Sequence, residues 1–242
     1  WVLEHGEKKF RAKQLYQWMH VKLADSVEQM SNLPAKLREQ ISENSTFTVL
    51  KQVTMQESAI DGTRKYLFEL EDHNMVESVL MRYKHGNSVC ISSQVGCRFC
   101  ASTLDGLVRN LTPAEMLEQI YRISADTGER VSNVVVMGTG EPLDNYDNLL
   151  TFLRMLTDEN GLHISQRNIT VSTCGLVPRI RDLAKEDLQI TLALSLHASS
   201  QEKRLELMPV AKAYEIHEVV DALRDYFEKT GRRVTFEYSL VA

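Results

Sequence analysis

The chain has 242 residues, of which 43% are hydrophobic and 25% are charged, and its net charge is −5. These values are typical of a globular protein, and the acidic balance argues against a basic nucleic-acid coat as the sole function. No apolar run approaches the roughly 18 residues that cross a bilayer, and no charged-then-apolar leader is visible, so we expect a cytoplasmic protein with no membrane partner. Its four cysteines are too few for a disulfide-stapled secreted scaffold.

The first 45 residues are predicted as a helical accessory domain. Apolar residues recur near helical spacing, and Pro34 opens a second helix that ends near Glu43. Residues 46–87 form a β-rich connecting region, because apolar and polar residues alternate there and Asp61-Gly62 is a hairpin-type turn. The predicted extended segments are residues 47–49, 65–70 and 75–81.

Residues 88–242 alternate short apolar strands with helices. The first of these helices starts at Thr112, where Thr112 and Glu115 make a capping box with a proline at the first turn. The predicted strands are 89–95, 133–137, 168–172, 190–196 and 234–240, and the further helices are 146–156, 178–185 and 216–229. Such alternation predicts an α/β fold with a parallel sheet covered by helices. Five strands cannot close a barrel that needs eight, so we expect a partial barrel.

Chemistry in parallel α/β folds gathers at the carboxyl ends of the strands. Here four loops with polar or metal-capable residues follow four successive predicted strands: Cys97 and Cys100, then residues 138–142, then residues 172–175, then Ser195, Leu196 and His197. Four such loops at one edge of a sheet predict a functional site there.

Cys97 and Cys100 place two thiolates within reach of one metal centre. Such a pair could be half of a zinc site, a redox dithiol or part of an iron–sulfur site. A structural zinc lacks its other two ligands at suitable spacing, and a redox dithiol would sit at the start of a helix, whereas the helix begins only at Thr112. Iron–sulfur ligation is therefore favoured, with Cys90 as a possible third participant.

The segment Gly138-Thr139-Gly140-Glu141-Pro142 is a glycine turn with a carboxylate beside it. A phosphate cradle would prefer a lysine, whereas a carboxylate beside free backbone groups suits an ammonium. The glycines alone also fit a plain strand-to-helix turn. Ligand contact and a core role are equally compatible with His197.

Several motifs together resemble the RlmN family: KFRAKQ at 9–14, CISSQVGC at 90–97, FCAST at 99–103, GLVRNL at 106–111, MGTGEPL at 137–143, SLHA at 195–198, LMP at 207–209 and RVTFEY at 233–238. These are radical S-adenosylmethionine (SAM) enzymes that methylate C2 of adenosine in 23S rRNA, at the peptidyl transferase centre, and in tRNA, next to the anticodon. The resemblance covers essentially the whole chain. A sister family that methylates C8 is similar, but the segments 94–97 and 101–104 look more like the C2 enzymes.

The resemblance implies a radical SAM type of partial barrel, a [4Fe–4S] cluster and SAM as cofactors, and an electron donor such as flavodoxin. In the family, one SAM methylates a cysteine near the carboxyl terminus, and a radical derived from a second SAM activates that methyl group for addition to adenosine. A glutamate takes the C2 proton, and another cysteine releases the adduct by forming a disulfide. By motif position, Glu77 is that base and Cys90 the resolving thiol; Cys97 and Cys100 are cluster ligands, and the SAM contacts are Gly140, Glu141, Ser172, Ser195, Leu196 and His197. We expect a monomer.

The sequence departs from the family pattern at two places. The family's cluster motif is Cys-x-x-x-Cys-x-x-Cys, and the segment around Cys97 is four residues short, so one cluster thiolate is missing. We expect a segment left out of this sequence; after a true deletion, Cys90 would have to substitute as the third ligand. The last barrel unit, a SAM-contacting asparagine and the methyl-carrying cysteine would lie beyond Ala242, so we expect a piece of a longer enzyme, inactive by itself.

Two other functions remain to be weighed. A dithiol redox protein would cycle a disulfide between Cys97 and Cys100 and would be colourless. A catalytically dead RNA-binding fragment would bind RNA without SAM, with a strong salt dependence. In the enzyme, residues 1–45 could contribute to RNA recognition.

Overall fold

The computed structural model describes residues 1–45, 47, 50–99 and 106–239. The amino-terminal helical unit, residues 1–45, contains α1 (Phe10–His20), a 3-10 turn (Val27–Gln29) and α2 (Ala35–Asn44), which confirms its two predicted helices. This unit has a small core of its own, which includes Met30, Leu33, Leu37 and Ile41.

Eight strands form one continuous sheet. Four of them are antiparallel: β1 (Lys51–Glu57), β2 (Arg64–Glu69), β3 (Met75–Tyr83) and β4 (Gly86–Ile91). A separate two-stranded ribbon follows, made of β5 (Gln94–Gly96) and β6 (Leu107–Asn110). Four further strands then continue from β4 in parallel: β7 (Val131–Val136), β8 (Ile169–Thr173), β9 (Thr191–Ser195) and β10 (Val234–Glu237). The order β1-β2-β3-β4-β7-β8-β9-β10 confirms the α/β class and the five parallel strands.

Helices connect the parallel strands: α3 (Pro113–Thr127), α4 (Tyr146–Thr157), α5 (Val177–Leu183), α6 (Gln201–Leu207) and α7 (Ile216–Thr230). The predicted capping box of α3 is present, because Glu115 N–H donates to Thr112 Oγ1 and Thr112 N–H donates to the Glu115 carboxylate. The short helix α6 and the strand β6 were not predicted from the sequence. No helix of the described residues is long and apolar enough to span a membrane.

The structure differs from the sequence predictions in the β-rich region. The first strand is Lys51–Glu57 rather than residues 47–49, of which Thr48 and Val49 lie outside the described residues. Strands β1–β3 extend the same sheet as the partial barrel, so residues 50–87 share its core. The predicted strand 89–95 is two strands, because the chain turns at Ser92 and Ser93 onto the ribbon.

The two faces of the parallel sheet have different surroundings. One face packs in a single core with α3, α4, α5 and α7, and its strand residues are fully buried: Val89, Ile91, Val134, Val136, Ile169, Val171, Leu192 and Leu194. The residues between them point to the other side, since successive residues of a strand alternate between faces. We call this second side the open face.

Candidate active site

The strand register places both predicted catalytic residues and two predicted cofactor contacts on the open face. Cys90 pairs with Val79 on β3, and Glu77 lies two places from Val79, so Glu77 and Cys90 project to the same side. On the parallel strands, the pairing carries that side from Cys90 to Ser172 and Ser195. One face of one sheet therefore collects residues that are up to 118 positions apart in sequence.

A row of polar side chains crosses the carboxyl ends of β8, β9 and β10. The hydroxyls of Ser172 and Ser195 lie 3.2 Å apart, and the Ser195 hydroxyl donates to Glu237 Oε2 at 3.3 Å. Glu237 pairs with Ser195 in the sheet and so shares its face. Glu237 was not among the residues singled out from the sequence, since a charge in a predicted terminal strand gives no separate signal.

The chain bends sharply after β9. The backbone N–H groups of Leu196 and His197 both donate to the carbonyl of Glu237, at 3.0 and 3.1 Å. His197 adopts a left-handed backbone with φ of 54°, which is uncommon outside glycine and asparagine. Its Nδ1 shares a hydrogen bond of 3.1 Å with the Ser239 hydroxyl. The backbone N–H groups of this segment are thus already used, and the Leu196 carbonyl accepts from the N–H of Ala198 at 2.8 Å, so Leu196 and His197 have their side chains left for a ligand.

The glycine loop, residues 138–141, is pressed against the segment between β4 and β5. A Cβ atom at Gly140, whose φ is 113°, would lie 2.7 Å from the Gln94 nitrogen, so only glycine fits this close approach. Glu141 N–H donates to Gln94 Oε1 at 2.8 Å. The glycines are therefore required by packing within the protein, which is the simpler of the two interpretations of this turn.

The Glu141 carboxylate is buried, and its oxygens already accept hydrogen bonds from the protein backbone. It accepts hydrogen bonds from the N–H of Cys174 at 2.7 Å and of Leu143 at 3.0 Å. Burial raises the pKa of Glu141 above its ordinary value, and the backbone donors oppose that shift. The carboxylate thus ties the glycine loop to the end of β8 rather than facing an ammonium directly.

Arg204 of α6 contacts the backbone of the same residue, Cys174. It is fully buried, and its guanidinium donates to the carbonyl of Cys174, while Nε and Nη1 have no hydrogen-bond partner among the described residues. Burial lowers the pKa of Arg204. The Cys174 backbone is therefore held by a carboxylate at its N–H and by a guanidinium at its C=O. Sequence reasoning missed Arg204, because an arginine in a short polar helix is normally exposed.

The cysteines lie in two environments. Cys97 is buried, close to Cys174, and Cys100 lies outside the described residues. Cys90 is a half-buried free thiol on the open face. Burial raises the pKa of the Cys90 thiol, and the charge of Glu237 raises it further. Cys174 is buried, burial raises the pKa of its thiol, and the thiol hydrogen-bonds to the Glu141 carboxylate.

Glu77 is half exposed on the open face, and its carboxylate forms an ion pair of 2.6 Å with Lys65 on β2. Lys65 pairs with Val79, which sets it on the same face. The Glu77 side chain is therefore solvent-accessible rather than sequestered, as a group that meets a substrate must be.

Buried amides and hydroxyls that the sequence analysis missed hold these loops together. The Asn145 amide donates to the carbonyls of Ser93 at 2.9 Å and of Leu111 at 2.8 Å, and Gln94 donates to Asn110 at 2.7 Å. A signal existed in the sequence: the polar run Ser92-Ser93-Gln94 interrupts an otherwise apolar strand.

Comparisons with known proteins agree with this architecture. The family model described as the radical SAM superfamily matches residues 94–239, and the model described as the ribosomal RNA large subunit methyltransferase N-terminal domain matches residues 1–47. A crystal structure of a radical SAM methyltransferase from Sphaerobacter thermophilus has a TM-score of 0.91 and 40% identity, over 98% of this chain and 72% of that one. The fold is thus that of a radical SAM protein.

Relatives with higher sequence identity show which family of radical SAM proteins this is. A probable dual-specificity RNA methyltransferase RlmN from Lachnospira eligens is 64% identical over 98% of this chain and 69% of the relative. Another from Clostridium perfringens is 52% identical over 246 positions, covering 100% of this chain and 71% of the relative. The chain belongs to the RlmN family of radical SAM RNA methyltransferases.

Members of this family use a [4Fe–4S] cluster and SAM. The open face fits SAM, because the hydroxyls of Ser172 and Ser195 and the carboxylate of Glu237 offer the donors and acceptors that a polar zwitterion with a ribose needs. For the cluster, the described residues supply one predicted ligand, Cys97, and contain no group of three metal-ligating side chains.

Proposed function

We propose that this chain is the cofactor-binding and base-carrying part of an enzyme that methylates C2 of adenosine in 23S rRNA and in tRNA through a methyl-cysteine intermediate. The observation that carries the proposal is the strand register, which sets Glu77, Cys90, Ser172 and Ser195 on the open face of one sheet. A redox dithiol or a plain RNA-binding module would not need a base, a thiol and a polar row on one face.

Glu77 and Cys90 act on the substrate in this proposal. The accessible Glu77 carboxylate takes the proton from C2 of the adenosine, which requires it to reach the base directly. The Cys90 thiol then attacks the sulfur of the methyl-carrying cysteine in the adduct and gives up its proton; the new S–S bond forms as the bond from that sulfur to the product carbon breaks, and the carbon takes up a proton to become the methyl group. Both residues are on neighbouring strands, so one bound nucleotide can meet them in turn.

The cofactor contacts are divided between side chains and backbone. The Ser172 and Ser195 hydroxyls bind the polar part of SAM, and residues 140 and 141 contribute backbone atoms, since the Glu141 carboxylate is occupied within the protein. Leu196 and His197 contribute side chains. Cys97 and Cys100 would hold the cluster, which when bound supplies the electron that activates SAM. A flavodoxin-type donor would reduce it, and the enzyme acts as a monomer.

Iron and sulfide content tests the cluster. The chain is reconstituted anaerobically and compared with Cys100→Ala and, as a matched control, Cys174→Ala. About four irons per chain are expected for the unaltered chain and for Cys174→Ala, and fewer than one for Cys100→Ala. A colourless protein with a reversible disulfide between Cys97 and Cys100 would support the dithiol function instead.

The methylated nucleoside tests the reaction. RNA is incubated with SAM, reduced flavodoxin and either this chain or the longer Lachnospira eligens relative, and the digested nucleosides are weighed by mass spectrometry. The relative is expected to yield 2-methyladenosine, and this chain to yield none while still binding SAM. Formation of 8-methyladenosine would assign the sister activity, and an unchanged yield in a Glu77→Gln variant of the active enzyme would remove Glu77 from its role as base.

A further inference from the structure

One buried hydroxyl lies between the strand that carries Glu77 and the glycine loop. Ser92 Oγ donates to the carbonyl of Glu77 at 2.8 Å and accepts from the N–H of Thr139 at 3.1 Å. The Ser92 side chain is fully buried. A single side chain therefore hydrogen-bonds to the backbone on both sides of the predicted site.

The position of Ser92 follows from the sheet register. The antiparallel ladder between β3 and β4 has its last pair at Val79 and Cys90, and continuing it by two places sets Ser92 opposite Glu77. At that place β4 has ended and the chain turns toward the ribbon. The Ser92 hydroxyl thus supplies to the Glu77 carbonyl the donor that a continued ladder would have given from the backbone.

A buried amide fixes Ser92 in turn. Gln119 of α3 accepts from Ser92 N–H at 2.8 Å, donates to the Ser92 carbonyl at 3.0 Å, and accepts from the Ser78 hydroxyl at 2.8 Å. On the loop side, a Cβ at Gly138 would come within 2.7 Å of Ser92 Oγ, so the loop lies in direct contact with the hydroxyl. The backbone and side chain of Ser92 therefore have little freedom to rotate away.

We propose that Ser92 is a positioning residue, whose hydroxyl couples the backbone of the Glu77 strand to the glycine loop so that base and cofactor keep a fixed relation. The functional part of this proposal rests on the proposed function, which gives Glu77 and the loop their roles. The loop is also held by the N–H groups of Ser93 and Gln94, both of which donate to the Thr139 carbonyl. Loss of the Ser92 hydroxyl should therefore loosen the connection without unfolding either segment.

Amide hydrogen exchange of this chain tests the coupling directly. Ser92→Ala is expected to accelerate exchange about tenfold in residues 75–79 and 138–141 together, the factor that the loss of one typical hydrogen bond allows. Ser93→Ala is the matched control, because Ser93 is equally buried and its hydroxyl has no hydrogen-bond partner among the described residues; its exchange should change less than twofold. Acceleration in only one segment, or equal acceleration in both variants, would overturn the proposal.

A second variant guards against misfolding. Ser92→Cys keeps the shape of the side chain with a slightly larger atom, but its thiol donates and accepts weakly, so it should loosen the same two segments with the rest of the chain still protected. In the active holoenzyme, Ser92→Ala should lower kcat about tenfold per bound cluster, with the KM for RNA within twofold. A fall that merely tracks the amount of folded protein would contradict a positioning role. If the unaltered enzyme does not methylate RNA, the proposed function fails, while the exchange measurement still decides the coupling.

Discussion

The segment 92–94 and the interface of the helical unit both bury polar groups, but groups of different kinds. The buried partners that hold Ser92 and Ser93 are uncharged, namely the amides of Gln119 and Asn145 and the backbone of the neighbouring strand and loop. Between the helical unit and α3, the buried partners are titratable, for example His20 with Tyr121. The difference predicts hydrogen bonds at Ser92 and Ser93 that do not titrate, next to a domain attachment that does.

Two titratable residues near this interface, His20 and Glu118, change the stability of the protein with pH in opposite directions. Burial lowers the pKa of His20, so its neutral form is favoured in the folded state and its contribution to stability is lost as the pH falls through about 6.5. Burial raises the pKa of Glu118 to about 7, and the ion pair with Arg122 opposes this. The stabilisation from Glu118 falls as the pH rises, whereas that from His20 falls as the pH falls, so the two effects on stability partly cancel below neutral pH.

Removing the amide of Asn145 should have the largest effect. Asn145→Ala takes a donor from two buried carbonyls, so the free energy of unfolding should fall by about 3 kcal/mol in a urea titration. The control is Asn148→Ala, which removes one bond of 2.8 Å to Asn145 Oδ1 and should cost less than about 1 kcal/mol. Equal losses of stability in the two variants would mean that the buried Asn145 amide does not hold the segments at Ser93 and Leu111.

Glu118→Gln should change how stability depends on pH. Between the ordinary value of 4.5 and about 7, the folded state keeps a proton that the unfolded chain has released, so stability falls as the pH rises through this window. Compared with Glu118→Gln, the unaltered chain should lose about 2 kcal/mol from pH 5 to pH 7.5, measured by urea unfolding. The His20 contribution is common to both proteins and cancels. A difference that is constant with pH would refute the raised pKa.

Tyr121→Phe should cost less. The hydroxyl of Tyr121 shares a buried hydrogen bond of 2.7 Å with His20 Nδ1, and its loss should lower the free energy of unfolding by about 1 kcal/mol. Tyr146→Phe is a suitable comparison, since its hydroxyl makes only a partly buried contact of 3.4 Å with Glu186. Thermal unfolding at pH 7.5 measures both. A smaller shift for Tyr121→Phe than for Tyr146→Phe would show that the helical unit does not depend on this bond.

The smallest effect is expected at an exposed ion pair beside the segment 92–94. Arg98 forms an ion pair of 2.6 Å with Asp144, but its side chain is more than half exposed. Arg98→Ala should therefore change stability by less than about 0.5 kcal/mol, and the difference should vanish in about 1 M salt. Arg154→Ala, which breaks an exposed pair with Glu186, should behave alike. A larger, salt-independent loss of stability for Arg98→Ala would mean that this ion pair, rather than the buried amides, holds the loops at the strand ends.

Local signals explain what could be predicted from the sequence. The apolar strands and the capping box at Thr112 are properties of neighbouring residues, so the α/β alternation and the order of the loops followed from them. The polar run at Ser92 marked a break in the strand, but the partner that holds it could not be predicted, because the Ser92 backbone groups bond to Gln119, 27 positions away. The buried Arg204 was equally hidden, since its acceptor belongs to Cys174 in another loop.

The common face of Glu77 and Ser195 also lay beyond the sequence analysis. Whether a strand residue points to one side or the other depends on pairing with strands elsewhere in the chain, and a shift of one place would reverse it. The sequence motifs singled out these residues, but only the strand pairing shows that they lie on the same face of the sheet.

The sheet also fixes the distance between distant residues of the candidate site. Glu77 on β3 and Ser195 on β9 are four strand steps apart, about 19 Å measured along the sheet, a spacing set by backbone hydrogen bonds rather than by loops. The ribbon of β5 and β6 is a separate sheet and lies outside those ladders. The distance between Glu77 and Ser195 is therefore fixed independently of the ribbon that carries the motif around Cys97.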